Sequence, residues 1–157
     1  SNKKAGTQVV FREGEARKLP FATDTFDYVF IAGNSFGYFE SAQDDVKVLR
    51  EVMRVLKPYG KLLIDITDGG YMRNHFQPRS WEWIDNNYFV CRERSLSAGD
   101  ERLISREVIT HVKKGVIADQ FYAERLYTKE SISELLKSSG FADVCCHSEL
   151  ITDSQRK

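Results

Sequence analysis

Phe26-Asp27-Tyr28-Val29-Phe30-Ile31-Ala32-Gly33-Asn34-Ser35 opens the stretch that decides the fold, and Lys61-Leu62-Leu63-Ile64-Asp65-Ile66 closes it. The run 26–32 is continuously apolar rather than alternating, which predicts a strand buried on both faces. Gly33-Asn34-Ser35 ends it abruptly. Between the two runs, Leu49, Val52, Met53 and Leu56 fall at i, i+3, i+4 and i+7, so a helix is expected from Asp44 to Lys57. Asp44 and Asp45 suit its positive N-terminal end, while Pro58 and Gly60 stop it. Strand, helix and strand within about 40 residues make a βαβ unit with a parallel pair.

Upstream, Gln8 to Arg12 reads as a short strand ended by Gly14, and Pro20 keeps the following loop extended at Leu19. Downstream of Asp68-Gly69-Gly70, residues 71–87 mix Tyr, Trp, His, Arg and Asn without a clean period, as a surface excursion would. Three strand-like segments follow, Tyr88–Arg94, Arg102–Val112 and Val116–Tyr127, joined by Ser97-Ala98-Gly99-Asp100 and Lys113-Lys114-Gly115. That turn chemistry predicts an antiparallel meander. Thr128 is placed to cap a helix that Gly140 ends, and Phe141–His147 reads as a last strand.

Composition limits what such a domain does. The 157 residues suffice for one core but not for two, and 41% apolar with 29% charged residues is ordinary for a folded chain. The 23 basic residues cancel the 23 acidic ones, so no positive surplus exists to hold nucleic acid or an acidic membrane. Three cysteines, two of them adjacent (Cys145 and Cys146), suit neither a disulfide framework nor a metal site, and a reducing, cytoplasmic setting is expected. No apolar run approaches the length of a membrane span, and the N-terminus has no apolar segment of a secretion signal.

The loop Glu15-Ala16-Arg17-Lys18-Leu19-Pro20-Phe21, the Phe26-Asp27-x-Val29 that follows and the strand ending in Gly-Asn-Ser resemble the middle of the class I S-adenosylmethionine-dependent methyltransferases. Leu49–Leu62, reading into the strand that follows, is similar to another part of that family, as is Tyr127-Thr128 opening a helix that ends in Ser139-Gly140-Phe141. The resemblance covers residues 8 to about 147. It implies an α/β fold with a partial Rossmann-like methyltransferase sheet, third strand onward, carrying an antiparallel β-meander as insertion or lid. One partial domain, 1–157, would then hold a core of 8–68 and 128–147 and a substrate-side lid of 69–127.

The implied cofactor is S-adenosyl-L-methionine. The resemblance places it against Glu15, Ala16, Arg17, Leu19, Ala32, Gly33 and Ser35. A carboxylate at Glu15 accepts from an exocyclic amine while the Ala16 N–H donates to a ring nitrogen, the pair that reads an adenine edge, and Leu19 and Phe21 supply an apolar wall. Gly33-Asn34-Ser35-Phe36 is similar to glycine N-methyltransferases, which implies that Asn34 binds an acceptor's carboxylate. Tyr38, Tyr71, Arg73 and Trp81 complete the expected acceptor site, with aromatic faces for a cation and a guanidinium for a carboxylate. His75 and His111 are the available proton acceptors, although a neutral amine needs alignment more than a strong base. No metal is called for.

The family's Gly-rich loop, which lets the backbone approach the methionine portion, is not recognisable in this sequence, nor is the acid that binds the ribose. The chain is therefore expected to be part of a longer methyltransferase for a small-molecule acceptor bearing an amine or a carboxylate, inactive alone, with 8–13 short of strand neighbours and an open sheet edge prone to self-association. Two other readings fit the same residues. One is a non-catalytic oligomerisation or regulatory module; the other is a nicotinamide-dependent oxidoreductase, which shares the doubly wound architecture but fits the 15–21 loop and the meander less well.

Overall fold

A computed structural model describes residues 9–147. β1 (Phe26–Ile31) leads through Ser41 into α1 (Ala42–Val55) and directly on into β2 (Leu56–Ile64). β1 and β2 pair in parallel, Val29 beside Leu62 and Ile31 beside Ile64, which gives the expected βαβ unit. The Ser41 hydroxyl accepts the Gln43 N–H at 3.2 Å and Asp44 and Asp45 occupy the first turn of α1, so its N-terminus is both capped and charge-matched. The helix ends at Val55, two residues before the expected Lys57. Pro58 holds Lys57 out of the helical region and Leu56 is already extended, so the strand starts at the residue that ends the helix.

α1 turns Val48, Leu49, Val52 and Val55 inward. Val48, Leu49 and Val52 meet Leu56, Phe36 and, from α3 (Lys129–Ser138), Ile132 and Leu136, with Val29, Ile31, Leu62 and Ile64 of the sheet packed alongside. The opposite face of the pair corrects the expectation of burial on both sides. Tyr28 is 61% and Phe30 65% exposed there, beside Leu63, because no described element lies over that face. Both outer edges of the pair are also unpaired among the described residues.

Two expected strands are absent among the described residues. Val9–Gly14 pairs with none of these and Phe11 is 91% exposed; Gln8 lies outside the described residues. Neither that segment nor the meander pairs with β1. Phe141–His147 runs past α3 without a ladder partner, contributing Phe141 and Val144 to the core. In both cases apolar residues were present but the partner strand was not, and a strand is defined by its ladder.

The excursion at 71–87 holds two elements instead. α2 (Gly69–His75) is capped by Asp68, whose carboxylate accepts from Gly70 and Tyr71 at 2.9 and 3.2 Å. β3 (Arg79–Trp83) adds a strand to the meander of β4 (Tyr88–Leu96), β5 (Arg102–His111) and β6 (Gly115–Arg125), in spatial order β3-β4-β5-β6. A helix opening on two glycines carries little intrinsic propensity, and it forms here because the Gly69 N–H donates to Tyr127 O at 2.8 Å. Gly69 is required for that approach: a Cβ would stand 2.4 Å from the Leu126 carbonyl carbon. The C-terminal helix matches expectation, with Thr128 and Ser131 in a reciprocal cap and the chain leaving through Gly140 at φ +108°.

The meander is held to the core at one end. The Arg125 N–H donates to Gly37 O at 2.8 Å, and its guanidinium reaches Asp45 Oδ2 at 3.1 Å and the carbonyls of Phe39 and Glu40 at 3.3 and 3.1 Å. Tyr127 Oη donates to the same Asp45 oxygen at 2.7 Å.

Candidate functional site

The loop that resembles an adenine-binding segment is held in place by α1. Lys18 N donates to Glu15 O at 2.9 Å, closing a tight turn around Ala16 and Arg17. Leu19 N donates to Glu51 Oε2 at 2.7 Å, and Arg54 donates to the carbonyls of Phe21 and Leu19 at 2.8 and 3.1 Å while pairing with Glu51. The Arg54 guanidinium, helped by the Leu19 N–H, holds the Glu51 carboxyl below the usual glutamate range. A depressed carboxyl contributes stability above its unfolded pKa and loses it as pH falls through the folded value. Glu51→Ala is expected to release Leu19 at about 2 kcal/mol, read as faster hydrogen exchange of its amide. The unaltered chain is expected to show the same loosening on acidification below the ordinary glutamate range.

A cavity of about 400 Å³ opens along the free edge of β1. Ala16 and Leu19 line it from the loop and Ala32, Ser35 and Tyr38 from the end of β1, so five of the sequence-predicted residues meet in one space. Val29, Ile31, Phe36, Val48 and Val52 make its remaining wall mostly apolar. The two turns therefore open on the same side of the sheet.

Three other expected cofactor contacts stand differently. The Glu15 carboxylate is turned onto Arg17, with Oε2 to Nη2 at 2.7 Å and Oε1 to Nε at 3.1 Å, and that pairing holds it below the ordinary range. Arg17 also bonds Asp44 at 3.1 Å and lies 4.4 Å over the Phe39 ring, so it clamps the loop to α1 rather than facing the cavity. Gly33 does not line the cavity either. A Cβ there would meet nothing within 4 Å, and what its position requires is φ +67°, followed by φ +53° at Asn34.

That left-handed pair turns Asn34 toward β6. Asn34 Oδ1 accepts the Thr67 N–H at 2.8 Å, which fixes the amide so that Nδ2 donates to Glu124 Oε2 at 2.6 Å. Tyr38 Oη donates to the same carboxylate at 3.4 Å, and its ring lies 6.1 Å from that of Tyr122. Asp65 closes the turn from below, accepting the Gly33 N–H at 3.1 Å. Burial, then the charge and hydrogen bond of Glu124, push the Tyr38 hydroxyl up to about 12. A raised tyrosine stabilises the fold fully below its unfolded pKa and loses that contribution as pH rises through the folded value. Titration of phenolate absorbance is expected to show Tyr38 ionising near 12, and Glu124→Gln to bring it down toward the ordinary value of 10.

The other expected acceptor residues do not join this group. Arg73 donates to Asp100 O at 2.8 Å and Leu126 O at 2.7 Å, tying α2 to the meander, and is not free to grip a carboxylate. Tyr71 stacks on His75 at 4.1 Å, and His75 Nδ1 meets the Tyr71 carbonyl at 2.9 Å, so the two form a local pair on α2. Trp81 is exposed on the edge strand β3. His111 sits at the β5–β6 turn, its Nδ1 accepting the N–H groups of Lys113 and Lys114. β5 runs ten residues from Arg102, beside Tyr38, to His111, which is about 30 Å of strand. Glu124 is the site residue that sequence reading missed. Its signal was a carboxylate on the meander face that also buries Val90, Leu103 and Ser105, visible only once the register is known.

Comparison with known proteins bears on the fold. Residues 1–64 match the methyltransferase domain family. The putative methyltransferase YqeM of Bacillus subtilis is 26% identical over 136 residues, covering 85% of this chain and 55% of YqeM. An S-adenosylmethionine-dependent methyltransferase from Clostridium acetobutylicum superposes with a TM-score of 0.66 at 20% identity, over 80% of this chain and 51% of that one. CalS10, an amino pentose methyltransferase from Micromonospora echinaspora solved with SAM bound, does so with 0.56 at 15% identity, over 81% and 54%. The chain carries the class I S-adenosylmethionine-dependent methyltransferase fold. It spans about half the length of YqeM and of these structures, and the matched segment 1–64 contains every cavity-lining residue named above.

Proposed function

We propose that this chain forms the adenine-side and acceptor-side part of a methyltransferase that uses S-adenosyl-L-methionine on a small molecule bearing an amine or a carboxylate. The observation that carries the reading is the single cavity shared by Ala16, Leu19, Ala32 and Ser35. When bound, the cofactor supplies an electrophilic methyl group on a sulfonium. The residues present fit its adenine end. Leu19, Ile31 and Phe36 give a ring an apolar wall, and the Ala16 N–H donates to no acceptor among the described residues. Glu15, turned onto Arg17, is not among the residues that line the cavity.

With only these contacts, turnover by the isolated chain is not expected, and binding should be roughly millimolar rather than micromolar. Calorimetric titration with S-adenosylhomocysteine tests this. Heat of binding is expected from the unaltered chain and none from Ala32→Trp, which fills the cavity mouth from an exposed position. Equal binding by both, or by neither, contradicts the reading. The unpaired edge of β1 and the bare Tyr28–Phe30 face support self-association of the chain on its own. Three free, exposed cysteines support a reducing, cytoplasmic setting.

A further inference from the structure

We infer that Glu124, with Asn34 and Tyr38, forms a receptor for the protonated amine of the acceptor, which decides the amine-or-carboxylate question in favour of an amine. This rests on the methyl-transfer reading for its name as an acceptor site, but the geometry stands by itself. Glu124 is only 9% exposed, and no salt bridge reaches it among the described residues. Its partners are two neutral donors, the Asn34 amide and the Tyr38 hydroxyl, both on Oε2, while Oε1 takes no donor.

Neither cation nearest in sequence and register pairs with it: Arg125 is on Asp45, and Arg102 gives Nη2 to the carbonyls of Ala123 and Tyr38 at 2.6 and 3.3 Å, its buried Nε having no partner among the described residues. Glu124 Oε1, which accepts no hydrogen bond among the described residues, is an acceptor with which an ammonium brought by a ligand can pair. Tyr38 also lines the cavity, so a group held by Glu124 lies beside the space assigned to the cofactor. The ring of Tyr38, whose hydroxyl reaches Glu124, lies 6.1 Å from that of Tyr122, so aromatic surface borders the carboxylate.

The arrangement also reverses the role that Asn34 was expected to play. Its Nδ2 donates to Glu124 and, at 3.2 Å, to Tyr38 Oη, and its Oδ1 is used by Thr67, so both amide donors are already engaged and none faces an acceptor carboxylate. A carboxylate placed there would meet the Glu124 charge at close range. An ammonium instead pairs with Glu124 Oε1, and when one N–H proton passes to that oxygen the bonding pair stays on nitrogen as the lone pair a methyl acceptor needs, leaving Glu124 as the carboxylic acid.

The test is a nuclear magnetic resonance titration of the full chain with benzylamine, benzyl alcohol and benzoate, read at the Asn34 side-chain amide and the Tyr38 ring. Benzylamine is expected to shift both at least tenfold more tightly than benzyl alcohol, and benzoate not at all. Glu124→Gln, which keeps an acceptor for Asn34, is expected to abolish the preference for amine over alcohol while S-adenosylhomocysteine binding is retained. Equal binding of amine and alcohol overturns the inference, as does an amine preference that survives Glu124→Gln. The comparison of the three probes is made on the unaltered chain, so it decides even if the variant fails to fold. S-adenosylhomocysteine binding without amine preference removes this inference and leaves methyl transfer standing; amine preference without S-adenosylhomocysteine binding does the reverse.

Discussion

Replacing Asp45 by alanine is expected to destabilise the chain by about 3–5 kcal/mol, measured by urea unfolding. Asp45 is fully buried in the first turn of α1, and its Oδ2 holds both Arg125 and Tyr127. Without it, the Arg125 guanidinium keeps only the carbonyls of Phe39 and Glu40 and becomes a poorly compensated charge. Burial and the Asp45 carboxylate also hold the Tyr127 hydroxyl above its ordinary pKa, so the variant should let Tyr127 ionise at lower pH. Asp45→Asn retains an acceptor oxygen and is expected to lose less. Glu124 precedes Arg125 on β6, so loosening of this clamp is expected to disturb the Glu124–Asn34 hydrogen bond as well.

Leu49→Ala is expected to lose about 2–5 kcal/mol by the same measurement, from lost transfer free energy and the cavity left behind. Leu49 is fully buried at the centre of the cluster that joins α1 to Phe36, Leu56 and, on α3, Ile132 and Leu136. α1 also carries Glu51 and Arg54, which hold the 19–21 loop, and Val48 and Val52, which line the cavity. Loss of Leu49 should therefore weaken S-adenosylhomocysteine binding at temperatures where the chain remains folded.

What the sequence made legible follows from range. The βαβ unit, the meander and the capped helix are set by local periodicity and turn chemistry, and Ser41, Thr128 and Gly140 act within a few residues of themselves. The strands expected at 8–13 and 141–147 needed partners from elsewhere in the sheet, and an apolar run cannot report whether a partner is there. α2 was hidden because its first two residues are glycines and its stability comes from Asp68 and from Tyr127, more than fifty residues away. β3 was missed as well, although Trp81 and Trp83 alternate with Ser80 and Glu82 before the turn at Asp85-Asn86-Asn87.

The site divides in the same way. Ala16, Leu19, Ala32 and Ser35 lie within one short stretch and gather around one cavity. Asn34 was singled out, but its partner Glu124 stands 90 residues on and comes beside it only through the fold. Arg73 and Trp81 were grouped with the acceptor site by sequence proximity, whereas the fold spends one on backbone carbonyls and leaves the other on an outer edge.

The most direct test of the account is a residue-resolved amide titration of this chain with S-adenosylhomocysteine. The amides of Ala16, Leu19, Ala32 and Ser35 are expected to shift together along one binding curve, with those of the β5–β6 turn unmoved. Shifts gathered instead around Cys145 to His147, or none at those four amides at millimolar ligand, would show that the turns after β1 and around Ala16 do not hold a nucleoside.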